Sequence, residues 1–220
     1  MSGHIPPEEI LLGYAVGALD AAPALAVETH LALRPGTWAR IEMLEAVGGA
    51  MLDGIEPAPL SSDALDRALA GIERPVAAEN PPAPPPAVDA ETAALVPAPL
   101  RSLVGPSIHA LPWRRCGRGI EEAKLGMRGQ GGNARLLRIQ PGVRVPRHTH
   151  RGTELTLVLG GAYRDGGQHF AVGDMQYADA GDDHAPQADP GEPCLCLIVL
   201  EAPIRLTGPF GRFLNPIVRF

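Results

Sequence analysis

The sequence predicts an α+β multidomain protein: a small four-helix bundle at the N-terminus, followed by an antiparallel, jelly-roll-like β-barrel. Three observations carry this reading. Apolar residues recur at helical spacing up to about residue 74; short β-rich runs punctuated by Gly, Pro and Asp dominate after about residue 105; and a stretch crowded with proline lies between them. The expected domains are therefore residues 1–74, a Pro/Ala-rich linker over 75–104, and residues 105–220.

The first helix is expected where Pro6 and Pro7 are followed by Glu8 and Glu9. Proline lacks nothing it needs in a first turn, and carboxylates there face the positive end of the helix dipole. Ile10, Leu11, Tyr14, Ala15 and Ala18 continue the pattern. A second helix opens at Pro23 after Asp20 and runs through Leu25, Val27, His30 and Leu31 to Leu33, where Arg34-Pro35-Gly36 breaks it. A third begins near Thr37 and uses Trp38, Ile41, Leu44, Val47 and Met51. A fourth begins at Ser62 and uses Leu65, Leu69 and Ile72. A bundle of roughly 70 residues is close to the lower limit for a self-sufficient core. A metal staple is common at this size, and His4 and His30 are the available imidazoles. Two histidines alone do not close a tetrahedral zinc site, so the plain reading makes His4 an exposed terminal residue and His30 a partly buried helix residue.

Eight of the 24 prolines (Pro75, Pro81, Pro82, Pro84, Pro85, Pro86, Pro97 and Pro99) fall in the linker, which reads as semi-rigid and polyproline-prone. Charge divides at the same place. Residues 1–74 carry 11 acidic and 4 basic side chains, whereas residues 105–220 carry 11 acidic and 14 basic ones. An acidic N-terminal domain repels nucleic acid and favours a basic partner. No apolar run reaches the ~20 residues that span a bilayer, and the N-terminus lacks the basic segment and apolar core of a secretory signal. No membrane contact and a cytoplasmic location are expected. Of the three cysteines, Cys116, Cys194 and Cys196, the last two share one face of an apolar run, where buried reduced thiols are the default.

Strands are expected over Ala134–Ile139, Leu155–Leu159, Gly161–Tyr163, His169–Val172 and Cys194–Leu200. Among them lies Gly142-Val-Arg-Val-Pro-Arg-His148-Thr-His150-Arg-Gly-Thr-Glu154, with Gly161 seven residues further on. His148 and His150 leave a strand by the same face, and Glu154 regains that face across the Arg151-Gly152 bend. Gly173-Asp174 and Asp182-Asp183-His184-Ala185-Pro186 add a third imidazole. Three imidazoles and a carboxylate converging in a barrel make a site for one divalent metal: His148, His150, Glu154 and His184. His109 and His169 lack such company and are assigned to turns or packing.

This spacing, G-x5-H-x-H-x3-E-x6-G followed by G-D…H, resembles the two cupin motifs. It is similar in particular to the cupin domain of the ChrR family of anti-sigma factors, through Asp183-His184-Ala185-Pro186 and Cys194-Leu195-Cys196-Leu197. The segments His4-Ile-Pro-Pro-Glu-Glu-Ile-Leu-Leu, Tyr14-Ala-Val-Gly-Ala-Leu and Thr29-His30-Leu31-Ala32-Leu33 resemble that family's zinc anti-sigma domain. The chain departs from the pattern in one place. The family holds its N-terminal zinc with a histidine near the start and H-x3-C-x2-C, where this chain has His30, Arg34 and Thr37. Both thiolates are replaced and Arg34 sets a cation beside the site, so His4 and His30 are a degenerate metal site, left as remnants or packing residues. The resemblance implies a non-enzymatic protein that sequesters an extracytoplasmic-function-type sigma factor and releases it on an oxidative signal such as singlet oxygen. Zinc is the metal it implies, although iron, manganese and nickel accept the same ligands. Cys194, Cys196 and the metal ligands are the oxidisable or ligand-exchanging groups. The rival reading is a cupin metalloenzyme of dioxygenase or isomerase type, for which Tyr163, Gln168 and Tyr177 are candidate interior groups.

Overall fold

A computed structural model describes residues 3–73, 87–127 and 133–207. Glu8–Ala15 (α1) starts directly after Pro6-Pro7 with Glu8 and Glu9 in its first turn, and Ala21–Leu33 (α2), Trp38–Asp53 (α3) and Ala64–Glu73 (α4) follow. A 3-10 turn over Pro35–Thr37 separates α2 from α3, as expected where proline restricts the residue before it. Leu11 of α1, Val27 and Leu31 of α2 and Ile41 of α3 form one buried cluster, with Tyr14 and Leu44 packed against it. The fourth helix stays outside that cluster: α4 buries none of its described residues, and Leu65, Leu69 and Ile72 form an exposed stripe. The packed core of the bundle thus comes from three helices.

Residues 74–86, which hold six of the linker prolines, lie outside the described residues. The remainder of the stretch read as a linker is packed helix. Ala90–Leu95 (α5) is capped by Asp89, which accepts from the Thr92 N–H at 2.7 Å, and Ala98–Val104 (α6) follows Pro97. Pro97 and Pro99 sit at a helix start, where the missing N–H costs nothing, and do not extend the chain. Val96, Leu100 and Val104 are buried.

Among the described residues twelve strands follow: Arg114–Gly117 (β1), Ile120–Lys124 (β2), Asn133–Ile139 (β3), His148–Thr149 (β4), Glu154–Gly160 (β5), Ala162–Asp165 (β6), Gln168–Ala171 (β7), Met175–Ala178 (β8), Asp183–His184 (β9), Gln187–Ala188 (β10), Cys194–Leu200 (β11) and Arg205–Leu206 (β12). All pair antiparallel, in a six-stranded sheet ordered β1-β2-β3-β11-β5-β8 and two three-stranded sheets, β10-β6-β7 and β12-β4-β9. The barrel is cupin-like in layout without closing into one continuous ladder among the described residues.

Strands β5 and β11 are buried at every position, and the two-residue period explains how. Cys194, Cys196, Ile198 and Leu200 face the barrel interior with Val158. Leu155, Leu157, Leu159, Leu195, Leu197 and Val199 face outward, where Ala22, Leu25 and Ala26 of α2 and Val96, Leu100 and Val104 cover them. One core therefore joins the N-terminal helices to the sheet. Gly161 links β5 to β6 at φ +64, and a Cβ there would lie 2.6 Å from the Pro193 carbonyl oxygen, so glycine is required at this turn.

Candidate metal centre

His148 sits on β4, His184 on β9, and the two residues pair directly across that ladder. His150 follows β4, and Glu154 opens β5 with its side chain on the interior face. One ligand atom from each of these four residues lies within 4.8 Å of the others. The His184 Nε2 stands 3.1 Å from the His148 Nε2 and 3.0 Å from the His150 Nε2.

The outward-facing ring atoms decide what these nitrogens can do. His148 donates its Nδ1–H to the Pro146 carbonyl at 2.8 Å, and His184 donates its Nδ1–H to the Asp165 carboxylate at 2.6 Å. Both Nε2 atoms therefore present lone pairs to the same point. Lone pairs facing at about 3 Å repel unless a proton or a metal cation lies between them, and a carboxylate holding the outer nitrogen of a ligating imidazole is the usual support of a metal site. The His150 Nδ1 is buried without a hydrogen-bond partner, 3.6 Å from Glu154, whose other oxygen accepts from the Thr156 hydroxyl at 2.9 Å. Burial pushes the pKa values of His148 and His150 down, which leaves these rings neutral and ready to ligate. Burial, the largest effect on His184, opposes its charge, but the bond to Asp165 and the nearby charges of Glu154, Asp165 and Asp182 together outweigh it and raise its pKa. Burial acts on Asp165 in the opposite sense and is outweighed by the bonds from His184 and Gln176, so its pKa falls. The donor set fits a divalent cation.

All four residues named from the sequence as candidate ligands come together. Asp165 and Gln176, which support His184, carried no local signal because Asp165 lies on β6, 19 residues from the imidazole it holds. Tyr163 is buried and donates to Gln176 at 2.7 Å, whereas Gln168 is exposed and Tyr177 packs on the outer core. Cys194 and Cys196 are free, buried and 3.5 Å apart at sulfur. Their mutual hydrogen bond, then burial, raises the pKa of Cys196. His109, in a 3-10 turn over Ile108–Ala110, pairs with Glu91, and His169, on β7, pairs with Asp189.

The N-terminal histidines do not converge with a ligand set. His30 is fully buried, donating Nδ1–H to the Gly173 carbonyl at 2.8 Å and accepting from the Thr37 hydroxyl on Nε2 at 3.0 Å, so both ring nitrogens are engaged. The His4 ring stacks obliquely on Phe170, with centroids 4.3 Å apart. Arg34 reaches the Val172 carbonyl at 2.8 Å and the Asp174 carboxylate at 3.2 Å. Asp174 also accepts from the His4 and Ala171 N–H groups, and the His4 carbonyl accepts from Met175. The residues standing where thiolates were expected thus tie the helices to the turn between β7 and β8. Among the described residues, no helix is long and apolar enough to cross a membrane.

The profile of the ChrR cupin-like domain matches residues 103–203. The anti-sigma-E factor ChrR of Cereibacter sphaeroides is 38% identical over 216 residues, covering 98% of both chains. The crystal structure of Rhodobacter sphaeroides SigE in complex with the anti-sigma ChrR matches with a TM-score of 0.73 at 37% identity, over 91% of this chain and 99% of that one. An RmlC-like cupin from Ralstonia eutropha matches at 19% identity and a TM-score of 0.41, over 47% of this chain and 71% of that one. With that identity sustained through both the helices and the barrel, the chain belongs to the family of the anti-sigma-E factor ChrR.

Proposed function

We propose that this protein is an anti-sigma factor that sequesters an extracytoplasmic-function-type sigma factor. The N-terminal helices, residues 1–74, form the binding element, and the cupin half, residues 105–220, controls release. The observation that carries this, beside the family, is the uncovered apolar surface of α3 and α4. Met43, Val47 and Met51 form one exposed stripe at four-residue spacing, and Leu65, Leu69 and Ile72 form another. Surfaces of this kind on amphipathic helices mark a protein partner. The acidic excess of residues 1–74 steers them towards the basic DNA-binding faces of a sigma factor and away from DNA itself. The protein acts by binding and not by turnover.

In the cupin half, His148, His150, Glu154 and His184 hold one divalent metal, with zinc as the reading favoured by the family. Release follows an oxidative signal received at the ligands or at Cys194 and Cys196. With its thiol pKa raised, Cys196 is a poor nucleophile until the barrel around it opens, which suits a protected sensor. The test is co-purification of the full-length protein with an extracytoplasmic-function sigma factor of its host. Val47→Asp and Leu69→Asp are expected to abolish capture while changing the folding free energy by no more than an ordinary surface substitution does, about 0.5 kcal/mol. Capture that survives both changes places the sigma factor on another surface.

A further inference from the structure

The barrel interior holds a feature that the metal site does not use. Arg135 of β3 and Glu122 of β2 are 6% and 7% exposed and form an ion pair at 2.8 Å inside the barrel. Taking two charges out of water is not repaid unless their remaining donors and acceptors are satisfied. Here Nη1 of Arg135 is committed to Glu122, and Nε is buried with no hydrogen-bond partner. The pair borders a cavity of about 70 Å³ that His148 and Glu154 also line. Most of the remaining wall is aliphatic, including Leu137, Ile139 and Ile198.

A water molecule needs two to four polar partners, and these walls supply few. A cavity of ~150 Å³ holds benzene, so one of this size holds about three to five heavy atoms. Charge selects the polar end of such a ligand. The Arg135 Nε–H is the buried donor left without a partner there, and a carboxylate matches both its hydrogen bond and its charge. The guanidinium edge that carries Nε is the edge that accepts a carboxylate side-on.

We propose that the barrel interior is a binding site for a short-chain aliphatic monocarboxylate, whose carboxylate pairs with Arg135 while its alkyl end packs against Leu137, Ile139 and Ile198. This rests on the reading that the four ligands hold a metal, and it extends the regulator reading by giving the cupin half a soluble ligand. Arg135 is the residue that sets specificity. Glu122 holds the guanidinium in place.

The experiment is calorimetric titration of propionate into the full-length, zinc-loaded protein, with propylamine as the control and metal content measured on the same sample. Arg135→Leu alone strands Glu122 and risks unfolding, so the deciding variant is the double change Glu122→Met with Arg135→Met, checked for fold by circular dichroism. Saturable binding of propionate, absent for propylamine and weakened at least tenfold in the folded double variant, is expected. No binding to the loaded wild-type protein overturns the proposal. Equal binding to the double variant also overturns it, because the carboxylate would then be held by the metal alone. Sigma capture is assayed separately, so failure of this site and failure of the anti-sigma reading are told apart.

Discussion

At the scale of single residues, the candidate metal centre is built on three imidazoles, two of which, His148 and His184, have their outer nitrogens already held. His148→Ala, His150→Ala and His184→Ala each remove one donor of four and are expected to empty the site, read as a fall from about one metal per chain by elemental analysis. Asp165→Asn keeps all four ligands but weakens the bond that orients His184, and should lower metal affinity about 10–100-fold. His148, His150 and Glu154 were legible because their side chains recur at strand spacing within one short segment, and His184 because it stands in the second motif, Asp183-His184-Ala185-Pro186. Asp165 was not, because its role arises only where β6 passes β9. His30 supplies a pH test. Burial, with a smaller contribution from Arg34, holds its pKa below 6.5, so the folded chain keeps it neutral. Below about pH 6.5 the unfolded chain binds a proton that the folded chain refuses. Stability present above that pH is therefore lost as pH falls towards the folded value. His30→Gln cannot titrate, and the difference in melting temperature between wild type and variant should shrink as the pH is lowered from 7.5 to 5.5.

At the scale of elements, the turn between β7 and β8 is the joint between the two halves. Its Asp174 carboxylate is 8% exposed and receives the backbone N–H of His4, the backbone N–H of Ala171 and the Arg34 guanidinium. Asp174→Ala leaves these donors unmatched and should cost about 1–3 kcal/mol, with faster amide exchange concentrated in residues 3–7 and in α2. Arg34→Ala should cost less than about 1 kcal/mol, because that side chain is 43% exposed and its ion pair is screened. Equal protection of α2 in wild type and Asp174→Ala would remove this turn as the joint. The positions of the four helices followed from apolar spacing and proline placement. The uncovered stripe of α4 did not, since periodicity reports that a face is apolar and not whether this chain covers it.

At the scale of the whole molecule, the expected division into separate domains after residue 74 meets a shared core. Ala22, Leu25 and Ala26 of α2 are buried together with Leu157, Leu197 and Val199 of the sheet. A fragment ending near residue 74 exposes that face and loses the His30 and Arg34 anchors, so it is expected to melt broadly alone and to become soluble and helical when co-expressed with the sigma factor, which stabilises it by mass action. A sharp, cooperative melt of the isolated fragment would show that the helices need neither partner. The element types, the segment that brings His148, His150 and Glu154 together and the buried thiols were legible in the amino-acid sequence, because each depends on short-range periodicity or on residues that share one strand face. It was silent on the helical packing of residues 90–104, the Arg135–Glu122 pair in the barrel and the hydrogen bonds that tie His30 and Arg34 to the β7–β8 turn. Those contacts join residues far apart in the chain. Which side chains meet there depends on how α2 settles on the six-stranded sheet and how the strands wrap, and no local pattern encodes either.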